Sequence, residues 1–524
     1  MKDLYFTVFF LVAVGAAATQ AQQRLHTPLW GNLSAGPYAV GFRTVYQFDN
    51  TRTWRTTRGY EKPFAPDLKG RPIRVSVWYP AIRAARSRQM RFEEYVKPAG
   101  PKEFAELNNI LELREKLLSS FRLPADRWSD LMATTVNAYA DATPARGRFP
   151  LVLYEAGLDS TSTTTLSVLG EFLASHGYIV ATVPLLGPTN ENPDQGRTPS
   201  DRVRTVQDLE VAWSLLREQT NVDETKTAVI GHSLGGVEAV NFAMRNANIS
   251  AVIGLDGTYG FTGNEKILTE LPDYAPRKMR AAFLDLRRDW KDLDLSVEHG
   301  FHYSDRSFIT IKRMHHNNFH SDAMIAFEFH LPIGPSEADN SGWTRETAYR
   351  GYQIVCQMVL DFFDDKLKGD HAGANRLLAD VAHAEGGVLK HEDASTPPPS
   401  GVEFSALITN RGFDAAIAIV DRYRREIPDE PVVDQDEFND LGYRLIAERR
   451  FAEAIRMMRL IVYAYPNSAN AADGLADAYI AAGQKELARA TLQQALKLIP
   501  GDSSLNEATK QWMTKNEQGK LDQL

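Results

Sequence analysis

The sequence predicts an α/β fold: a mainly parallel sheet with helices on both faces and a helical insertion, followed by a separate all-α repeat domain. Three observations predict it. Short apolar runs alternate with amphipathic helical patterns over the first two thirds of the chain. A stretch with three consecutive prolines, Pro397, Pro398 and Pro399, follows. Beyond it, helical segments recur at a fixed offset, with Pro466 and Pro500 lying 34 residues apart.

In chain order, residues 1–21 read as a signal peptide. Lys2 gives a positive end, the apolar run 6–18 is too short to span a bilayer, and Thr19-Gln20-Ala21 offers a small-residue cleavage site. No later segment is apolar and long enough for a membrane helix, so the mature chain is expected to carry no transmembrane anchor. Cys356 is the only cysteine, which excludes an internal disulfide. Export without disulfides fits a secreted or periplasmic bacterial protein.

The second region is expected over 22–390. Residues 75–79, 151–154, 179–183, 227–230, 251–255, 280–284 and 308–311 are short apolar runs that suit strands buried on both faces of a parallel sheet. Val206, Leu209, Trp213 and Leu216 recur at three- and four-residue steps and give a helix one face for the sheet. A helical insertion is expected over about 83–148. Phe104, Leu107, Leu111 and Leu118 mark its main helix, and Trp128 and Leu131 follow. It is either a cap over the site or a helix pair packed on the sheet edge.

Residues 391–401 form the Pro-rich linker, and 402–524 the repeat domain. At the 34-residue offset Leu441 matches Leu475, Gly442 matches Ala476, and Ala454 matches Ala488. Small residues let paired helices approach, and a proline closes each pair. The pattern resembles tetratricopeptide repeats. A weaker upstream unit includes Phe413, Ala416 and Pro428. Leu505, Ala508 and Trp512 read as a capping helix. Such a domain either recruits a protein or peptide partner in its groove or serves as a packing module.

Composition narrows the function. With 43% hydrophobic and 24% charged residues the chain is an ordinary globular one. Its net charge of -8 gives no basic face for nucleic acid.

The chemistry sits in Gly231-His232-Ser233-Leu234-Gly235-Gly236. An apolar strand ends at Ile230, and a helical pattern with Val237, Val240 and Phe242 starts just after. A serine at such a strand-to-helix turn presents its hydroxyl above the sheet, and the following helix aims free N–H groups at a developing oxyanion. A serine hydroxyl needs a base. Candidates lie downstream at His315, His316 and His320, in the loop after the last expected strand. His315 and His320 read as surface or packing histidines. A metal pair of His316 and His320 lacks an accompanying acid, so no metal or cofactor is expected. For the acid, Asp256 follows the strand 251–255 and precedes Gly257, at a loop position. Asp285, between Leu284 and Leu286, reads as lying within a strand. Oxyanion donors are expected from the backbone N–H groups of Leu234 and of Leu158, beside Gly157.

Taken with residues 75–80, Gly157-Leu158, residues 174–180 and His316-Asn317-Asn318-Phe319, this pattern resembles the platelet-activating-factor acetylhydrolases. They belong to the dienelactone-hydrolase-like group of α/β-hydrolases. The resemblance covers roughly 36–368. It implies Ser233 as nucleophile, Asp256 as acid and His316 as base, with Leu158 and Leu234 as oxyanion donors and short or oxidised acyl esters as substrates without a cofactor. One departure is Glu155-Ala156-Gly157, where that family carries Ser-His-Gly or Ser-Pro-Gly. A carboxylate there would oppose negative charge in the oxyanion loop unless it points away or is paired. The expected activity is thus hydrolysis of small or lipid-like carboxylic esters through an acyl-enzyme. An amidase or peptidase with the same residues, and a non-catalytic partner-binding protein, are the alternatives.

Overall fold

The computed structural model describes residues 27–54, 70–83, 88–120, 123–158, 162–190, 192–331, 343–384, 387–427 and 431–524. Residues 1–21, expected as a signal peptide, Pro428 and the side chain of Leu118 lie outside the described residues. The chain divides into two compact units between Ala394 and Ser395.

The first unit is built on one sheet. Its strands are β1 (Ala39–Thr53), β2 (Gly70–Ala81), β3 (Gln89–Arg91), β4 (Thr135–Ala140), β5 (Phe149–Glu155), β6 (Ile179–Thr182), β7 (Val222–His232), β8 (Ile249–Leu255), β9 (Ala282–Arg288), β10 (Arg306–Ile311) and β11 (Val388–Glu392). They lie in the order β11-β10-β9-β8-β7-β5-β6-β2-β1-β4-β3. From β6 to β10 every neighbouring pair is parallel, and β2 and β11 run antiparallel at either side of that block. This is a mainly parallel α/β-hydrolase-like sheet.

The pleat sends alternate residues to opposite faces, and both faces are covered. Val152, Tyr154, Ala228, Ile230, Val355, Val359 and Phe363 share one core with the helix Ser162–Ser175. Leu151, Leu153, Val229 and Val252 share the other with Val206, Leu209, Val237 and Phe242 from the helices Pro199–Arg217 and Gly235–Arg245. Residues 151–154 read as an unbroken apolar run because they serve two cores at once.

The insertion is not wholly helical, which corrects the expectation. β3 and β4 lie within it and extend the sheet edge beyond β1. Both are short and border polar residues, so periodicity does not mark them. The helix Ala105–Ser120 packs Phe104, Leu107 and Leu111 against Trp54 and Leu186. Buried Arg71 ties the loop after β6 in place. It donates to the carbonyls of Leu186 (2.9 Å) and Gly187 (2.7 Å) and forks onto Asp208 (2.7 and 2.6 Å).

The second unit is a run of antiparallel helix pairs from Gly401–Arg411 to Glu507–Gln523. Ala454, Ala476 and Ala488 are fully buried. The helix Glu507–Gln523 packs on the last pair, as the capping-helix reading expects, but Trp512 is 63% exposed and Met513 fills the apolar position instead.

Candidate active site

Sharp turns at the ends of β7 and β8 place the first two groups. Ser233 has a φ of 54° and Asp256 a φ of 48°, both in the left-handed region that a non-glycine residue enters only under constraint. The Ser233 turn is fixed by its own N–H donating to Leu255 (3.0 Å) and by its carbonyl accepting from Gly236 and Thr258 (3.0 Å each). The Asp256 turn is fixed by its N–H donating to the Leu286 carbonyl at 2.7 Å. Gly231 is glycine because a Cβ there would strike the backbone of Gly235.

The chain that follows β10 brings in the third group. His316 opens a short 3-10 turn, His316–Asn318, capped by the His315 ring. The Ser233 hydroxyl donates to His316 Nε2 at 2.7 Å, and His316 Nδ1–H donates to Asp256 Oδ2 at 2.5 Å. Asp256 is an acceptor only, which selects this tautomer. Residues 60 and 83 positions apart in sequence thus form one hydrogen-bonded line.

Asp256 is fully buried. Burial pushes its carboxyl up, but the hydrogen bond and charge of His316, the charge of Arg288 and the Arg288 N–H outweigh burial and hold it below its ordinary value. Arg288 contributes its backbone N–H at 3.1 Å and its Nε at 3.4 Å. Asp285 lies within β9, opposite Gly254 and short of the sheet edge, with its carboxylate against Arg287. It does not meet His316.

Two residues here carry no strong signal in the sequence. His232 Nε2–H donates to the backbone carbonyl of His316 at 3.0 Å, so the motif's own histidine clamps the loop that carries His316. Burial first, then the neighbouring charges of His320 and His316, drive its pKa well below the ordinary histidine value and keep it neutral. Its position inside the Gly-x-Ser-x-Gly motif is the only hint available beforehand. Thr258, whose hydroxyl lies 3.5 Å from that of Ser233, has none. His320 is buried and packs edge-on against His232 at 4.9 Å; His315 stacks on Trp343 at 4.8 Å. Among the described residues the one grouping of acids and histidines close enough to hold a metal is Asp305, His391 and Asp393, at the β10–β11 edge.

The expected oxyanion side lies close by. Gly157 passes so near the serine that an added Cβ would sit 2.8 Å from Ser233 Cβ. Leu158 follows it in a turn, half-buried, and Leu234 stands at the start of the helix Gly235–Arg245. Glu155, one turn earlier, is buried among Glu238, Asp208 and Arg202. Burial, reinforced by the charges of Glu238 and Asp208, pushes its carboxyl well above the ordinary value, which favours the neutral form. That bias lessens the repulsion that an ionised Glu155 would bring to this loop.

Two family models match parts of the chain. The Chlorophyllase family model matches residues 135–283, a span that includes Ser233 and Asp256, and a tetratricopeptide-repeat model matches 445–511. Cutinase 2 of Thermobifida cellulosilytica and the cutinase cut1 of Thermobifida fusca are each 30% identical over 87 residues, 17% of this chain. The chain spans 32% and 26% of their respective lengths. A ferulic acid esterase structure from Streptomyces cinnamoneus shares 21% identity at a TM-score of 0.46, covering 64% of this chain and 93% of that one. No described helix is long and apolar enough to cross a membrane. Part of the first unit is thus similar to the Chlorophyllase family and to cutinases, and part of the second to tetratricopeptide repeats.

Proposed function

We propose that this chain is a serine carboxylic-ester hydrolase, with Ser233 as nucleophile, His316 as base and Asp256 as the acid that holds His316. The observation that carries this reading is the continuous hydrogen-bonded line from the Ser233 hydroxyl through both ring nitrogens of His316 to a buried, ionised Asp256. The Ser233 oxygen attacks the ester carbonyl carbon while its proton moves to His316 Nε2. Asp256 stabilises the imidazolium that forms. The backbone N–H groups of Leu158 and Leu234 receive the negative oxygen. The carbon–oxygen bond to the alcohol then breaks, His316 returns its proton to the leaving alkoxide, and water repeats the sequence on the acyl-enzyme.

The cutinase names among the similar proteins favour ester over amide substrates. The resemblance to platelet-activating-factor acetylhydrolases adds a preference for short acyl chains. The leader-like residues 1–21 add export to the periplasm or exterior, and the repeat unit adds a protein or peptide partner. The test is hydrolysis of nitrophenyl esters from acetate to decanoate by the wild type and by Ser233→Ala. Turnover that falls with chain length and vanishes in the variant supports the reading; equal turnover by both proteins overturns it.

A further inference from the structure

The turn after β8 brings a second hydroxyl to the oxygen of Ser233. Thr258 opens the 3-10 turn Thr258–Gly260, directly beyond Asp256 and Gly257, and is half-buried. Its Oγ1 lies 3.5 Å from Ser233 Oγ, and among the described residues this hydroxyl has no other hydrogen-bond partner. The backbone fixes the placement. The Thr258 N–H donates to the Ser233 carbonyl at 3.0 Å, and the Ser233 N–H donates to the Leu255 carbonyl at 3.0 Å. The two turns are thus tied together at the residues that carry the hydroxyls.

Proton counting gives the direction of the side-chain contact. Ser233 has one hydroxyl proton, and it is directed to His316 Nε2 at 2.7 Å. Ser233 Oγ can therefore only accept from Thr258, which makes Thr258 the donor. The contact is long in the resting site, and such contacts shorten when charge develops on the acceptor.

The strength of that acceptor changes through the proposed reaction. In the free enzyme Ser233 Oγ is a hydroxyl oxygen and accepts well. In the acyl-enzyme it is an ester oxygen whose lone pairs are drawn into the carbonyl, and it accepts poorly. Addition of water to the acyl carbon ends that conjugation, and the oxygen then departs with developing negative charge. A donor at this position gains most between the acyl-enzyme and the transition state of its breakdown. It gains least in the attack that forms the acyl-enzyme, because the hydroxyl oxygen already accepts at the start.

We propose that Thr258 is a further catalytic residue, whose hydroxyl donates to Ser233 Oγ as that oxygen leaves and so speeds deacylation rather than acylation. This rests on Ser233 as the nucleophile. The water oxygen bonds to the acyl carbon and gives a proton to His316 Nε2. The bond from that carbon to Ser233 Oγ then breaks with its electron pair on Oγ, which takes the proton back from His316. Thr258 keeps its own proton throughout.

The test is stopped-flow hydrolysis of nitrophenyl acetate by the wild type, Thr258→Val, Thr258→Ala and Thr258→Ser, with the acetylated fraction of Ser233 read by intact mass and peptide mapping after an acid quench. Valine keeps the shape of threonine without the hydroxyl. In Thr258→Val kcat is expected to fall about tenfold, KM to fall with it and kcat/KM to stay within about twofold, while acetyl-enzyme accumulates. Thr258→Ala is expected to change in the same direction, and Thr258→Ser, which returns the hydroxyl, to recover most of the loss. Fluorophosphonate labelling, which ends before deacylation, is expected to proceed in Thr258→Val at close to the wild-type rate. An unchanged kcat in the valine and alanine variants, a fall in kcat/KM or in labelling as large as that in kcat, or a serine variant no better than valine overturns the proposal. A wild-type chain that acetylates Ser233 while its kcat ignores every change at Thr258 keeps the serine-hydrolase reading and loses this one. A wild-type chain that neither acetylates nor labels loses both.

Discussion

Two strand ends on the same sheet edge each carry a buried acid, and the two acids are held in opposite states. At the end of β8, Asp256 faces His316 and Arg288, and its carboxyl is held below its ordinary value despite complete burial. At the end of β5, Glu155 is equally buried but faces Glu238 and Asp208 more strongly than Arg202, and its carboxyl is pushed far up. Burial alone raises both. The hydrogen-bond donors and the sign of the neighbouring charge decide the difference. One end presents a negative charge to an imidazole; the other is biased against charge beside the loop where an oxyanion is expected.

The comparison can be broken most severely at the serine and its acid. Ser233→Ala is expected to lower kcat by about 10⁴-fold or more, measured on nitrophenyl acetate. Asp256→Asn keeps the shape but loses the charge and can turn its NH2 to Nδ1, which selects the wrong tautomer, and about 10³- to 10⁴-fold of kcat is expected to go with it. Asp285→Asn serves as its control, with kcat of the folded protein within about threefold of the wild type because that carboxylate does not meet the imidazole. A smaller loss tests the clamp. His232→Phe removes the donor to the His316 carbonyl while keeping a ring in place. A drop in kcat of about tenfold is expected, with KM little changed, because the imidazole is then less well placed.

The smallest kinetic effect is expected at Glu155. Its raised pKa favours the uncharged carboxyl, which an amide matches in charge, so Glu155→Gln is expected to change kcat by less than about twofold. Stability sharpens the contrast. The folded pKa of Glu155 is raised, so the unfolded chain releases this proton first, and the wild type loses stability as pH rises above the ordinary glutamate value of about 4.3. Glu238, with its carboxyl raised to about 7, adds a loss of the same sign. The Tm advantage of Glu155→Gln over the wild type should therefore widen from pH 5 to pH 8. A constant difference would mean that Glu155 is ionised in the fold.

Much of this was legible in the sequence because local pattern and tertiary role coincide. The runs at 151–154, 227–230 and 251–255 serve two cores, so they are continuously apolar, and the serine motif is short and self-contained. Asp256 differed from Asp285 by the glycine that follows it, a local sign of the strand end. The edge strands β3, β4 and β11 were not legible. β3 is three residues long, β4 is six, and β11 is mostly exposed, so no long alternation marks them. The role of His232 was hidden for another reason: its partner is a backbone carbonyl 84 residues away, and backbone atoms leave no trace in side-chain pattern.

The most direct test is covalent. A fluorophosphonate probe reports a serine made nucleophilic by a neighbouring base, whatever the natural substrate. Intact mass and peptide mapping should show one adduct per chain, on Ser233, with labelling abolished in Ser233→Ala and strongly slowed in His316→Ala. A wild-type chain that remains unlabelled while folded, or an adduct mapped to another serine, would contradict the account.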